Sequence, residues 1–188
     1  MTEVFTMMGH KGPNESETGV NYNNGFTKIS DWKSECMARI YKDETLLKML
    51  RYSIPDWDTS HKLTDQDKDE IMDTCVYPMG HIDKIAQKQR SYIGIDLSNW
   101  KLFEGFRRFS YKFISGILYF HVLVDINILR TNEGVRSDLI IGRLMSIFDE
   151  TEFAGLGELK FETCFERKVD NASHVGYSLG FRITELKN

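Results

Sequence analysis

Asp125, at the end of one alternating run, and Glu158-Leu159-Lys160, opening the next, come nearest in type and order to a reacting set. Two carboxylates can hold Mg²⁺ while a lysine assists the attacking water, which is the pattern of a metal-dependent nuclease. No proline precedes Asp125, and a helical stretch separates the two parts. The simpler expectation is that Glu158 and Lys160 face solvent on an alternating strand. The five histidines, His10, His61, His81, His121 and His174, show no H-x-x-x-H or H-x-E spacing, so they do not suggest a metal site. No serine sits in a G-x-S-x-G elbow, and Gly155-Leu156-Gly157 has no helix after it to hold a phosphate. Those glycines are expected to turn the chain into a hairpin. The three cysteines, Cys36, Cys75 and Cys164, are far apart and free of C-x-x-C spacing; they are expected to be reduced and buried. The expectation is therefore no catalytic residue, no cofactor and no metal, with the nuclease-like set as the alternative.

A second chemistry is offered by Trp100, Lys101, Phe103, Phe106, Arg107, Arg108 and Phe109, a connection unusually aromatic and basic for a loop. Rings with nearby cations suit base stacking. They equally suit a protein contact, where aromatics and arginine concentrate. The second reading is preferred, and Trp100, Phe103, Phe106 and Arg107 are taken as interface candidates.

The elements that must position these residues follow from periodicity. Within residues 111–131, Leu118, Phe120, Val122, Val124, Ile126 and Ile128 occupy even positions, while Tyr119, His121, Leu123, Asp125 and Asn127 alternate with them. A one-sided strand is expected. From Gly134 to Thr151 the period lengthens to that of a helix, with Val135, Leu139, Ile140, Leu144, Ile147 and Phe148 on its apolar side. This helix should cover the greasy face, leaving Tyr119, His121, Leu123 and Asn127 as further interface candidates. Two alternating runs, residues 159–167 and 175–183, close the chain as a hairpin. Upstream, Ile29, Trp32, Cys36, Met37, Ile40 and Tyr41 form a helical stripe, and a short helix with Leu46, Leu47, Met49 and Leu50 inward follows. Thr64, with Asp65 and Asp67 in the first turn, opens a third helix running to about Cys75. Tyr77-Pro78-Met79-Gly80 breaks the chain before a strand over residues 91–97, and residues 97–109 connect it to the long strand. The fold class is α+β: a mostly antiparallel sheet of about four to five strands with helices on one face and an N-terminal helical segment.

At 188 residues the chain has the size of one domain, expected over residues 26–188. Residues 1–25, rich in Gly, Asn, Ser and Thr, read as a flexible N-terminal arm, free in a monomer or ordered against a neighbour. A hydrophobic share of 41% with 12% aromatics excludes wholesale disorder. A formal charge of −4 with dispersed basic residues argues against tight nonspecific nucleic-acid binding. No signal peptide and no apolar run of spanning length is present, so a soluble protein made inside the cell and no membrane partner are expected.

The order of elements resembles a family. The helix pair around residues 39–50, the excursion through Tyr77-Pro78, the strand Tyr92-Ile93-Gly94-Ile95, the long strand over residues 119–124, the helix from Gly134 to Leu144 and the terminal hairpin follow one another. The layout, over about residues 29–186, resembles the neck and tail-terminator proteins of tailed bacteriophages. The resemblance implies a structural subunit of a homo-oligomeric ring, commonly a hexamer, that joins head to tail beside other neck and tail-tube proteins. It implies a virion location after assembly in the host bacterial cytoplasm, with DNA passing through the ring unread. A monomeric adaptor binding one protein partner is the remaining alternative.

Overall fold

The computed structural model describes residues 29–59, 62–102, 113–153, 157–167, 169 and 173–186. The expected arm over residues 1–25 lies outside them, as do Phe103, Phe106 and Arg107. Helices α1 (Ile29–Lys42), α2 (Glu44–Arg51) and α3 (Asp65–Cys75) lead into a two-residue strand β1 (Val76–Tyr77). Then come β2 (Ser91–Leu102), β3 (Phe113–Asp125), α4 (Arg136–Phe148), the short β4 (Glu152–Phe153) and β5 (Gly157–Glu158), and the terminal β6 (Lys160–Arg167) and β7 (His174–Leu186). The main sheet has five strands in the order β1-β2-β3-β7-β6. All its pairings are antiparallel except β1 with β2. This is the expected α+β class.

Local chemistry accounts for the element ends. Asp43 caps α2 by accepting from the Leu46 amide at 2.8 Å. Thr64 and Asp67 form a reciprocal capping box at the start of α3, so two otherwise orphaned amides are satisfied. On β3, Leu118, Phe120, Val122 and Val124 are buried against the helices, as the period of two requires. Phe120 meets Phe148 of α4 at 4.4 Å between ring centres and Phe181 of β7 at 6.0 Å. Leu144 and Ile140 of α4 are fully sequestered on this side.

Three expectations need correction. The strand ends at Asp125, whose carboxylate caps a 3-10 turn at Ile126–Ile128, so Ile126 is left 48% exposed rather than packed under the helix. Strand β2 runs on to Leu102 through a bulge between Ser98 and Lys101, where Asn99 adopts a φ of 57°. The bulge turns Trp100 onto the helix face, with its ring 6.0 Å from Trp32 of α1 and lying over Gly116. Trp100 thus belongs to the core boundary, not to a projecting connection. Of the cysteines, Cys36 and Cys75 are buried but Cys164 is exposed.

The second face of the sheet is not bare. Residues 78–90, which carry little periodicity, cross it and seat Ile82 and Ala86 against Tyr92 and Leu123 in a small separate core. Gly94 makes this approach possible: a Cβ there would lie 2.5 Å from the Met79 carbonyl oxygen and 2.9 Å from the Ile82 side chain.

Candidate assembly surface

The interface residues expected on β3 separate into different environments. Leu123 is 0% exposed beneath Ile82 and Ala86. His121 is 9% exposed, and Asn127, though exposed, sits in the 3-10 turn where its amide and side chain both donate to Asp125. Of the candidates within the strand itself, Tyr119 stands at the margin of an open surface. An alternating strand shows that its two faces differ, not what lies over each. Residues 78–90 supply what the pattern could not show.

Around Tyr119 and His121 the side chains converge. The two rings stack with centres 5.6 Å apart and planes 12° apart, and Asn99 Nδ2 donates to the Tyr119 hydroxyl at 3.1 Å. Phe165 of β6 meets Tyr119 edge-on at 6.3 Å. His121 Nδ1 lies 2.8 Å from Ser178 Oγ on β7. The covering segment is tied down by Asp83, which accepts from Arg167 Nη2 at 2.8 Å and Nε at 3.3 Å. Burial pushes the His121 imidazole down from its ordinary 6.5 to about 4; Arg167 lowers it further, Asp96 and Asp83 oppose, and His81 adds to the lowering.

A serine beside a histidine is half of a nucleophilic pair. Ser178, however, is 1% exposed, so a substrate carbonyl has no path to its hydroxyl. The arrangement holds a neutral imidazole between strands. A consequence is testable. The unfolded chain takes up a proton on this histidine below about pH 6.5 and the folded chain only near 4, so this contribution is whole above 6.5 and lost as pH falls towards 4. The loss is expected to be about 3 kcal/mol. Urea unfolding at pH 7 and pH 4.5, in the wild type and in His121→Asn, checks it: the variant should show a shallower acid loss, and equal slopes would contradict the assignment.

The nuclease-like set does not assemble. Asp125 pairs with His174 at one end of β7, and Lys160 pairs with Arg182 eight positions along it, a separation of about 27 Å at strand rise. Lys160 Nζ is bridged to Glu158 at 3.0 Å in solvent, while Asp125 caps its own turn. Among the described residues no group of three or more His, Cys, Asp or Glu is placed to hold a metal ion.

What sequence reasoning missed is the edge of the sheet. Among the described residues strand β6 has only one neighbour, β7, and nearly all of its residues are exposed. Phe161 is 48% exposed and Phe165 49%. In the sequence they alternate as if on one face. A bulge between Phe161 and Thr163 shifts the register, so Phe161 lies opposite Phe181 on the helix side and Phe165 opposite Ser178 on the other. Large apolar side chains thus stand on both sides of a strand whose outer ladder has no partner among the described residues. On the helix side a groove of about 340 Å³ continues from this edge, lined by Ile141, Gly142, Cys164, Tyr177 and Asp138.

The YomW family model matches residues 43–183, from the α2 cap to near the end of β7. The chain belongs to the YomW family. This is a family named for a Bacillus phage-derived protein, and the chain is accordingly phage-associated. No curated protein matches it. The family match spans the sheet, the covering segment and the exposed edge together, while α1 precedes it. No helix among the described residues is long and apolar enough to cross a membrane.

Proposed function

We propose that this YomW-family chain is a structural subunit of a bacteriophage virion neck or tail: a tail terminator or head-to-tail joining protein that assembles as a homo-oligomeric ring, a hexamer, beside other neck and tail-tube proteins. The observation that carries the reading is β6. An eight-residue edge strand exposed on both faces, with two half-exposed phenylalanines, presents unpaired backbone groups and apolar surface that monomers blunt with short, charged or covered edges. Its partner edge is guarded: β1 pairs with β2 at Ile93 and Gly94, and residues 78–90 lie close by. Ring closure needs two unlike surfaces meeting head to tail, and an asymmetric sheet of this kind offers them. A chain with net charge −4 lets DNA pass through a ring without gripping its phosphates.

His121→Glu is not the variant to test this, because the residue is buried and the fold itself would suffer. The double variant Phe161→Glu/Phe165→Glu changes exposed positions only. Wild-type protein is expected to sediment as a ring and the double variant as a folded monomer that still melts cooperatively, at a temperature lowered by no more than the loss of assembly accounts for. Phage grown with the variant should yield unjoined heads and tails. Monomeric wild-type protein at micromolar concentration would favour an adaptor, and intact rings from the variant would remove β6 from the interface.

A further inference from the structure

Between the C-terminal end of α3 and the entry to β2 lies a cleft of about 200 Å³, on the opposite side of the sheet from the β6 edge in strand order. Its walls are the rings of Tyr77 and Tyr92, 6.5 Å apart and tilted by 32°. Both hydroxyls are engaged elsewhere: Tyr77 donates to the Thr74 carbonyl at 3.0 Å, and Tyr92 pairs with the Lys88 backbone at 3.2 Å. Arg90 reaches into the same cleft. Its Nη1 donates to Thr74 Oγ1 at 3.0 Å, and no carboxylate among the described residues pairs with it. Lys88, also lining the cleft, has no ion pair among them, and Asp73 is the single acidic group on the wall.

From this geometry we infer that the cleft binds a carboxylate group, held by the free N–H groups of Arg90 between the two tyrosine rings. A guanidinium has five donors in a planar fork, and bonds to the Thr74 hydroxyl and the Cys75 sulfur leave others for a ligand. A carboxylate matches two of them in the bidentate geometry that this fork favours. The cleft is smaller than the roughly 300–1,000 Å³ of drug-sized sites, so it takes the end of a side chain or a small acid. Asp73 sets the charge of the ligand. Two cations against one carboxylate leave a single net positive charge, which a monoanion neutralises and a phosphate dianion exceeds.

The carboxylate can come from a free small acid or from a glutamate of another polypeptide. Calorimetric titration of the full chain with propionate, with an acetylated and amidated peptide carrying a single glutamate, and with inorganic phosphate separates these. Saturable binding of one or both carboxylates is expected, and which of them binds more tightly identifies the source. Arg90→Gln should weaken it by about tenfold or more, the size of a lost charge-assisted pair. Arg90→Lys, which keeps the charge but not the fork, should fall between. Arg130→Gln, on the exposed loop before α4, serves as the control for simple charge loss and should bind as the wild type does. Because Arg90 is part-exposed and its side-chain partners are the Thr74 hydroxyl and the Cys75 sulfur, both Arg90 variants are expected to stay folded, with melting temperatures close to that of the wild type. Unchanged affinity in Arg90→Gln, absence of saturation with either carboxylate, or phosphate binding as tightly as propionate would each overturn the inference. Ring assembly is read by sedimentation and does not enter these outcomes, so this inference and the proposed function fail separately.

Discussion

Replacing Arg136 by methionine is expected to lower the unfolding free energy by about 3–5 kcal/mol, the range seen when a buried charged partner is removed. Arg136 opens α4 and is 0% exposed. Its Nε donates to the Ile128 carbonyl at 2.9 Å, Nη1 to those of Met49 and Tyr52 at 3.0 and 2.6 Å, and Nη2 to that of Ile54 at 2.7 Å. Two of these acceptors, Met49 and the C-cap Tyr52, belong to the end of α2, whose carbonyls lack helical partners and carry the negative end of its dipole. The guanidinium therefore joins α2, the following turn and α4 at one point. Burial pushes its pKa down, yet arginine stays charged in a protein. Methionine fills part of the volume and leaves four carbonyls to be desolvated unpaired. Arg136→Lys should also be damaging, since one ammonium has three donors and cannot serve four carbonyls spread around a plane. Urea unfolding at neutral pH measures both; a loss below about 1 kcal/mol in Arg136→Met would show that water replaces the arginine.

Gly176→Ala is expected to be at least as severe. Gly176 lies in β7 opposite Leu123, and a Cβ there would overlap the backbone carbonyl of Val122. A flexible side chain could swing aside, but a carbonyl in the middle of a sheet cannot. The β3–β7 ladder runs unbroken over thirteen register pairs from Phe113–Leu186 to Asp125–His174, so relief at one rung strains its neighbours. We expect a loss on the order of 4 kcal/mol, or insoluble protein, because overpacking against backbone lies at the upper end of such costs. Gly142→Ala is the control. That glycine is in α4 with nothing within 4 Å of the added carbon, so the substitution should raise stability by roughly 0.5–1 kcal/mol through helix propensity. Comparing soluble yield and melting temperature of the two variants tests the assignment; similar behaviour would mean that the ladder tolerates a local bulge at Gly176.

The sequence by itself determined what depends on near neighbours. Thr64 and Asp67 lie three apart, so their capping box and the start of α3 could be read directly. Likewise the period of two through Leu118, Phe120, Val122 and Val124, the helical stripe through Ile140 and Leu144, and the alternating runs that became β6 and β7 depend only on residues that follow one another. Together these settled the α+β class. Tertiary structure alone decided which surfaces are open. His121 and Leu123 alternate as a solvent face should, but a covering segment with weak periodicity reaches them because Gly94 leaves room. Trp100 opens a basic and aromatic stretch, yet the backbone turn at Asn99 sends its ring to Trp32. Phe161 and Phe165 look like core in an alternating run, and they stand exposed because β6 comes last in the sheet order and a bulge splits them between its faces. Arg136 reads as a solvated charge at a helix start, and becomes buried only when the end of α2, more than eighty residues earlier, delivers its carbonyls. Local pattern encodes that two faces differ; which of them is covered is set by pairings between residues far apart in the chain, which no local period records.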